Sequence, residues 1–173
     1  RYIHKNPTEN LVLQTLRIGN LGITTIPNEV YAITGLKLKA WSPFPSTFNI
    51  ELANGAAGYI PPPEQHALGG YTTWPARTAG LEVEAEPKIV ETLLSSFESL
   101  AGKPRRPSLR HQGDYVKWIM AQKPLAYFQC EDLGGGTLDD ASGQGRSGHV
   151  EGVVAYHLPG PECQAISEQN SNN

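Results

Sequence analysis

The chain has 173 residues, of which 39% are hydrophobic and 18% are charged, and its formal net charge is -3 at pH 7. This balance predicts a globular protein and argues against a general electrostatic attraction to nucleic acid or to anionic membranes. No run of about 18 apolar residues occurs, so we expect no membrane-spanning helix.

The first residue is Arg1, and the residues after it lack the apolar segment of a signal peptide. We therefore expect a piece of a longer protein, whose export signal would lie outside this sequence. Cys130 and Cys163 are the two cysteines. Their number leaves open whether they form a disulfide in an exported protein.

The first hundred residues alternate between strand and helix patterns. Apolar runs bounded by turn residues predict strands, and apolar residues at three- and four-residue spacing predict helices. The predicted elements are, in chain order, a strand at 11–18, a strand at 21–26, a helix that is capped by Asn28 and ends by Ser42, a strand at 48–52 and a helix at 87–101 that stops at Gly102. This mixture predicts an α/β (mixed α+β) unit.

Residues 54–80 form a long connection that is rich in glycine and proline. Connections of this kind are more often functional than structural. Tyr71 follows two glycines there, so it either presents its phenol to a pocket or packs its ring against the core. Trp74 lies three residues further on, and His66 precedes Tyr71 by five residues. A single loop histidine is more often exposed to solvent than bound to a ligand.

Glu29 admits two interpretations. As an acidic residue in the first turn of the predicted helix, it would stabilise the helix by about 0.3–1 kcal/mol through the helix dipole. Local features favour this interpretation. Alternatively, its position where a strand ends and a helix begins suits a metal ligand or a general base, because ligands bind at such junctions in α/β folds.

The composition changes after residue 103. Residues 103–114 contain four basic residues and two prolines with few apolar residues, so we expect a linker over 104–122. Short strand-like segments between glycine turns follow, and they predict an all-β module at 123–173. The first unit would therefore span residues 1–103.

Several short motifs occur in a fixed order between Leu11 and Gly102. They are Pro27-Asn28-Glu29, then Thr34-Gly35 with Lys37 and Lys39, then Gly58-Tyr59-Ile60-Pro61, and finally Gly69-Gly70-Tyr71. In order and approximate spacing, this set resembles the late segment of the neutral/alkaline non-lysosomal ceramidases. Two departures leave the substrate open. Asn28 stands where the family usually has glycine, and Thr72-Thr73-Trp74 replaces a Glu-Gly run, with no further tyrosine before Tyr115.

The resemblance implies a zinc site. In that family, the acidic residue and this tyrosine join two histidines from earlier in the chain to hold a catalytic zinc. Carried over, Glu29 and Tyr71 would be zinc ligands, and the two histidines would lie before Arg1. The reaction would be hydrolysis of the amide bond of ceramide or another N-acyl lipid. Trp74 and His66 are then the candidate substrate-binding residues.

A second resemblance covers the end of the chain. Pro124, Tyr127, Asp140, Ser142-Gly143, Gly145 and Gly148 follow the spacing that opens a laminin-G-like, concanavalin-type jelly roll. The resemblance implies a truncated β-sandwich, because a complete jelly roll needs more strands than this segment can form. Such a module would bind carbohydrate or another surface ligand, or would be purely structural.

These observations predict part of a zinc amidohydrolase domain followed by a partial all-β sandwich. We expect a secreted, periplasmic or cell-surface protein that is inactive as cut, because half of the zinc site would be missing. The alternative is a non-catalytic extracellular protein that binds carbohydrate or another surface ligand. Histidines at metal-ligand spacing before Arg1 would favour the enzyme.

Overall fold

The computed structural model describes residues 8–106, 113–133, 136–152 and 154. The chain divides into two compact units, with the boundary between Ser108 and Leu109, inside the range for which a linker is predicted. Among the described residues, no helix is long and apolar enough to cross a membrane.

The described residues form a mixed α+β structure with four α-helices and small sheets. The first unit contains strands β1 (Gln14–Ile18), β2 (Leu21–Thr25), β3 (Glu29–Val30), β4 (Ser46–Ile50) and β5 (Tyr59–Ile60), helices α1 (Ala32–Trp41), α2 (Pro63–Leu68) and α3 (Ala85–Ala101), and a 3-10 turn at Tyr71–Thr73. The second unit contains α4 (Asp114–Ala121), β6 (Thr137–Leu138) and β7 (Gly148–His149).

The main sheet has the strand order β1-β2-β4. Strands β1 and β2 are antiparallel, and β2 and β4 are parallel. One face of this sheet packs against the helices. Thr15 of β1 hydrogen-bonds Ser96 of α3 at 2.6 Å. A Cβ atom added at Gly22 of β2 would lie 2.6 Å from the Phe44 ring and 3.0 Å from the Phe97 ring, so glycine is required for this close packing.

The core lies between α1, α3 and the strands. Its buried residues are Ile26, Leu38, Ile60, Ala85, Ile89, Val90, Leu93 and Leu94. The apolar stripe of α3 supplies most of them, as its helical spacing predicts. An ion pair joins the two helices, because the partly buried Lys37 of α1 lies 3.1 Å from the fully buried Glu86 carboxylate of α3 and Thr34 donates a hydrogen bond to the same carboxylate at 3.0 Å.

The opposite face of the main sheet carries apolar side chains that are exposed on the two edge strands and buried at Ile23 of the central strand. Leu16, Ile23 and Phe48 lie side by side in register across the three strands. Leu16 is 52% exposed and Phe48 is 40% exposed. Ile18 and Ile50, on the same face by strand alternation, are also exposed. Apolar side chains thus point away from the helices on both edge strands.

The predicted cap at Asn28 is wrong. Helix α1 begins at Ala32 with Tyr31 as its N-cap, and Glu29 lies in a two-residue strand instead of a first helical turn. Asn28 is fully buried, and its backbone carbonyl accepts a hydrogen bond from the Leu52 amide at 3.1 Å. The chain therefore remains extended past Pro27 because it pairs with a segment far along the sequence.

The range predicted as a linker contains ordered contacts and a helix. Arg105 pairs with Glu91 at 2.8 Å and with Glu98 at 2.9 Å, both on α3. Arg106 donates to the backbone carbonyls of Ser42 and Phe44 after the end of α1. Helix α4 lies further along the same range.

In the second unit, β6 and β7 form a short antiparallel pair. An isolated antiparallel bridge joins Phe128 to Asp140. Much of the range predicted as an all-β module, including Cys163 and its possible disulfide, lies outside the described residues.

Candidate functional site

Glu29 is positioned by pairing between two short strands. Strand β3 runs parallel to β5, with Glu29 opposite Tyr59, and the Glu29 amide donates to the Gly58 carbonyl at 3.0 Å. Gly58 has φ +86, and a Cβ atom there would lie 2.5 Å from the Thr78 carbonyl oxygen. Only glycine fits this position. Glu29 itself is exposed.

Tyr71 opens the 3-10 turn. Gly69 and Gly70 precede it with φ +79 and φ +109, a backbone path that strongly favours glycine. The Tyr71 side chain is 64% exposed, yet its ring meets the Tyr59 ring edge to face, with 5.5 Å between the centroids. Tyr71 is therefore held at the surface by an aromatic contact and is not buried in the core.

Tyr59 is the residue that both candidates approach. The neighbouring Tyr71 phenol raises the pKa of the Tyr59 phenol, and the negative charge of Glu29 raises that pKa further. The structure thus places the Glu29 carboxylate and the Tyr71 phenol next to one common side chain. These two residues are far apart in sequence and come from different elements.

A second contact joins the same two segments. The hydroxyl groups of Tyr31 and Thr72 lie 2.7 Å apart and hydrogen-bond. Tyr31 follows Glu29 by two residues, and Thr72 follows Tyr71 directly. Thr72 is 7% exposed, and it is the buried residue of the 3-10 turn.

A shallow depression lies beside Tyr59. Its polar lining residues include His66, Thr72 and Glu82, and its apolar lining residues include Ile60. His66 is therefore next to the candidate site. Trp74 ends the 3-10 turn and is 65% exposed, but it does not line this depression.

Asn28 is the buried polar residue adjacent to Glu29. Its side chain is fully buried, and neither its amide nitrogen nor its amide oxygen has a hydrogen-bond partner within the described parts of the chain. An unpaired buried amide is costly, by about 1–3 kcal/mol. Such groups in native structures call for a water, an ion or a partner group.

Glu29 and Tyr71 each carry a side-chain oxygen atom, and both residues are exposed beside Tyr59. A carboxylate oxygen is an ordinary zinc donor. Residues 8–106, 113–133, 136–152 and 154 contain no cluster of three or more histidine, cysteine, aspartate or glutamate side chains that could hold a metal ion. A complete site would need further ligands, as the resemblance to the ceramidases implies.

In the second unit, Asp140 organises a turn. Its carboxylate accepts hydrogen bonds from the Ser142 hydroxyl and from the backbone amides of Arg146, Tyr127 and Ser142, and these bonds lower the pKa of Asp140 strongly. Because the carboxylate already accepts four hydrogen bonds from its own chain, it acts as a structural residue in this unit.

Comparison of the chain with models of protein families, with curated proteins and with solved structures finds no match.

Tyr59, Tyr31 and Thr72 are not among the site residues that the sequence predicts. Gly58 was the available signal for Tyr59, because a glycine next to an aromatic residue in a long connection often marks a close backbone approach. No sequence signal indicated the Tyr31–Thr72 bond, since the two residues are far apart in the chain.

Proposed function

We propose that the first unit is part of a zinc-dependent, ceramidase-like amidohydrolase that hydrolyses the amide bond of ceramide or another N-acyl lipid. The observation that supports this proposal is the placement of Glu29 and Tyr71 beside Tyr59. These are the two residues that the ordered motifs align with zinc ligands. The remaining two ligands would be histidines from a part of the protein before Arg1.

The reaction adds water across the amide C–N bond. The water oxygen bonds to the carbonyl carbon, the C–N bond breaks, and both water protons pass to the leaving nitrogen, which gives a carboxylate and an ammonium ion. When bound, zinc would activate the water and polarise the amide carbonyl. Glu29 and Tyr71 would present their oxygen atoms at the surface, where a substrate can reach them.

The surroundings of Tyr59 suit an amphiphilic substrate. The depression beside it combines the apolar side chain of Ile60 with the polar side chains of His66 and Glu82. We propose His66, at the edge of this depression, as a hydrogen-bonding partner for the polar end of the substrate. The exposed indole of Trp74 offers an apolar surface to an acyl chain.

The test uses a longer protein that includes the upstream histidines, with Glu29→Gln and Tyr71→Phe as variants. We expect both variants to lose bound zinc in metal analysis and to lose the release of fatty acid from an N-acyl sphingosine. Glu9→Gln, a change at an exposed glutamate, is the matched control and should retain both. Unchanged turnover in Glu29→Gln would remove Glu29 from the site.

The chain of 173 residues gives a complementary result. With two of the four ligands missing, it should hold no stoichiometric, tightly bound zinc. If the unsubstituted longer protein shows neither bound zinc nor amide hydrolysis, a non-catalytic binding function becomes the better interpretation.

For the second unit, we propose that the residues after 123 begin a laminin-G-like β module. The Asp140 turn supports this proposal, because it fixes the glycine-rich segment that carries the resemblance. Since its carboxylate is occupied by its own chain, we assign Asp140 to folding. A carbohydrate ligand would bind elsewhere on the module.

A further inference from the structure

The 3-10 turn that carries Tyr71 has one buried residue and is entered through two glycines. Its entrance consists of Gly69 and Gly70, and an added Cβ atom at either glycine would meet nothing within 4 Å. Tyr71 and Trp74, at the start and end of the turn, are both largely exposed. Thr72 is the buried residue of the turn.

The buried side chain of Thr72 reaches the segment that carries Glu29. Its hydroxyl lies 2.7 Å from the hydroxyl of Tyr31, the N-cap residue of α1. Tyr31 in turn directly follows strand β3, which is fixed by its pairing with β5. One hydrogen bond therefore connects the base of the Tyr71 turn to the strand of Glu29.

We infer that Tyr31 is a positioning residue, whose hydrogen bond to Thr72 holds the Tyr71 phenol in place relative to the Glu29 carboxylate. The inference rests on the proposed function for its chemical meaning, because Glu29 and Tyr71 are the proposed zinc donors. The position of Tyr71 relative to Glu29 involves only residues of this chain. The Tyr59–Tyr71 ring contact is the feature that should respond when the bond is removed.

The alternative is that the bond contributes only to stability. In that case its loss would lower the free energy of unfolding, while Tyr71 would keep its place against Tyr59. A stability measurement cannot separate the two roles. A direct measurement of the Tyr59–Tyr71 contact can separate them.

The experiment compares Tyr31→Phe, Thr72→Val and Thr72→Ser in the chain of 173 residues. With ring-labelled tyrosine, the nuclear Overhauser effect between the Tyr59 and Tyr71 rings reports their contact. We expect this signal to fall at least about twofold in Tyr31→Phe and Thr72→Val, and to persist in Thr72→Ser, which keeps the hydroxyl. Backbone amide spectra establish that each variant is folded.

Thr73→Val is the matched control, because the Thr73 hydroxyl bonds to the Gly70 carbonyl at 2.8 Å within the turn and does not reach Tyr31. It should leave the ring contact unchanged. If Tyr31→Phe and Thr72→Val are folded and keep the full ring contact, the inference is overturned.

A second readout uses the longer protein with both histidines. There, Tyr31→Phe should weaken zinc affinity, measured by competition with a chelator, by about 10–100-fold, the usual effect of losing a residue that orients a ligand. If the unsubstituted longer protein binds no zinc but Tyr31→Phe still loses the ring contact, the proposed function is refuted and the positioning role of Tyr31 stands. If Tyr31→Phe keeps both the ring contact and zinc binding, the positioning role is refuted and the proposed function stands.

Discussion

The ring of Tyr59 meets the ring of Tyr71 edge to face, with 5.5 Å between their centroids and 90° between their planes. This contact joins a short strand to an exposed turn. Tyr59 also lies opposite Glu29 in the β3–β5 pair. A side chain that is not among the predicted site residues therefore connects the two residues that the motifs single out.

The Tyr59–Tyr71 contact should be measurable as a coupling free energy. In a double-mutant cycle with Tyr59→Leu and Tyr71→Leu, we expect a coupling of about 0.5–1.5 kcal/mol in the free energy of unfolding. Urea denaturation of the four proteins gives this value. Ile18→Ala, in the other sheet of the unit, should combine additively with Tyr59→Leu. Full additivity of the two tyrosine changes would contradict the contact.

Gly58 should not tolerate a side chain. Gly58→Ala must place a Cβ atom 2.5 Å from the Thr78 carbonyl oxygen at φ +86, so we expect a loss of about 2 kcal/mol or more in the free energy of unfolding. The matched control is Gly35→Ala in α1, where an added Cβ atom meets nothing within 4 Å. That change should stabilise the protein by roughly 0.5–1 kcal/mol. Thermal unfolding of both variants measures the two changes in the free energy of unfolding. Equal changes in Gly58→Ala and Gly35→Ala would contradict the strained conformation at Gly58.

Local sequence patterns predicted α3, β1 and β2, because residues close together in the sequence determine these elements. The apolar stripe of α3 and its end at Gly102, which has φ +65 in the structure, follow from residue spacing and from the conformational freedom of glycine. Strands β1 and β2 follow from a turn between two apolar runs. In each case the residues that decide the structure are close in sequence.

The elements around the candidate site could not be predicted in this way. Glu29 forms a strand because it pairs with Tyr59, and this pairing overrides the helix signal at Asn28. The Tyr31–Thr72 bond likewise joins distant parts of the chain. The order of the motifs therefore predicts Glu29 and Tyr71 as candidate site residues, and only the fold shows which side chains surround them.

Arg105 should stabilise the first unit at neutral pH, and acid should remove this stabilisation. Its hydrogen bonds hold the pKa of Glu98 at about 2, well below the usual value of 4.5, and also lower the pKa of Glu91. A lowered folded-state pKa gives stability that is present above pH 4.5 and is lost as the pH falls toward about 2. Arg105→Gln should therefore lose stability at neutral pH and show a smaller further decline over this acid range.

Chemical denaturation at a series of pH values measures the effect of Arg105→Gln. Arg77→Gln, a change at an exposed arginine of the same unit, should keep the parent's dependence on pH. An unchanged pH dependence in Arg105→Gln would show that the carboxylates of Glu91 and Glu98 do not depend on Arg105.

The exposed face of the main sheet should tolerate polar residues. Leu16 is 52% exposed, so we expect Leu16→Thr to change the free energy of unfolding by less than about 1 kcal/mol. Leu94→Ala, at a fully buried position of α3, should cost about 2–5 kcal/mol. Binding of a hydrophobic dye should decrease in Leu16→Thr, because an exposed apolar patch becomes smaller. Comparable costs for the two changes would mean that this face is covered in solution.

The ion pair between Lys37 of α1 and the buried Glu86 of α3 gives the sharpest test of the core. Lys37→Met would leave the fully buried Glu86 carboxylate with Thr34 as its remaining hydrogen-bond donor. Because an uncompensated buried charge is strongly unfavourable, we expect a loss of about 3–5 kcal/mol in the free energy of unfolding. Adding Glu86→Gln to Lys37→Met should restore part of this loss, since the charge is then removed.

The matched control for Lys37→Met is Lys39→Met, which changes an exposed lysine of the same helix. It should alter stability by no more than about 0.5 kcal/mol. Urea denaturation at pH 7 compares all four proteins. If Glu86→Gln fails to restore stability in the Lys37→Met background, the loss arises from the packing of the lysine stem and not from the unpaired carboxylate.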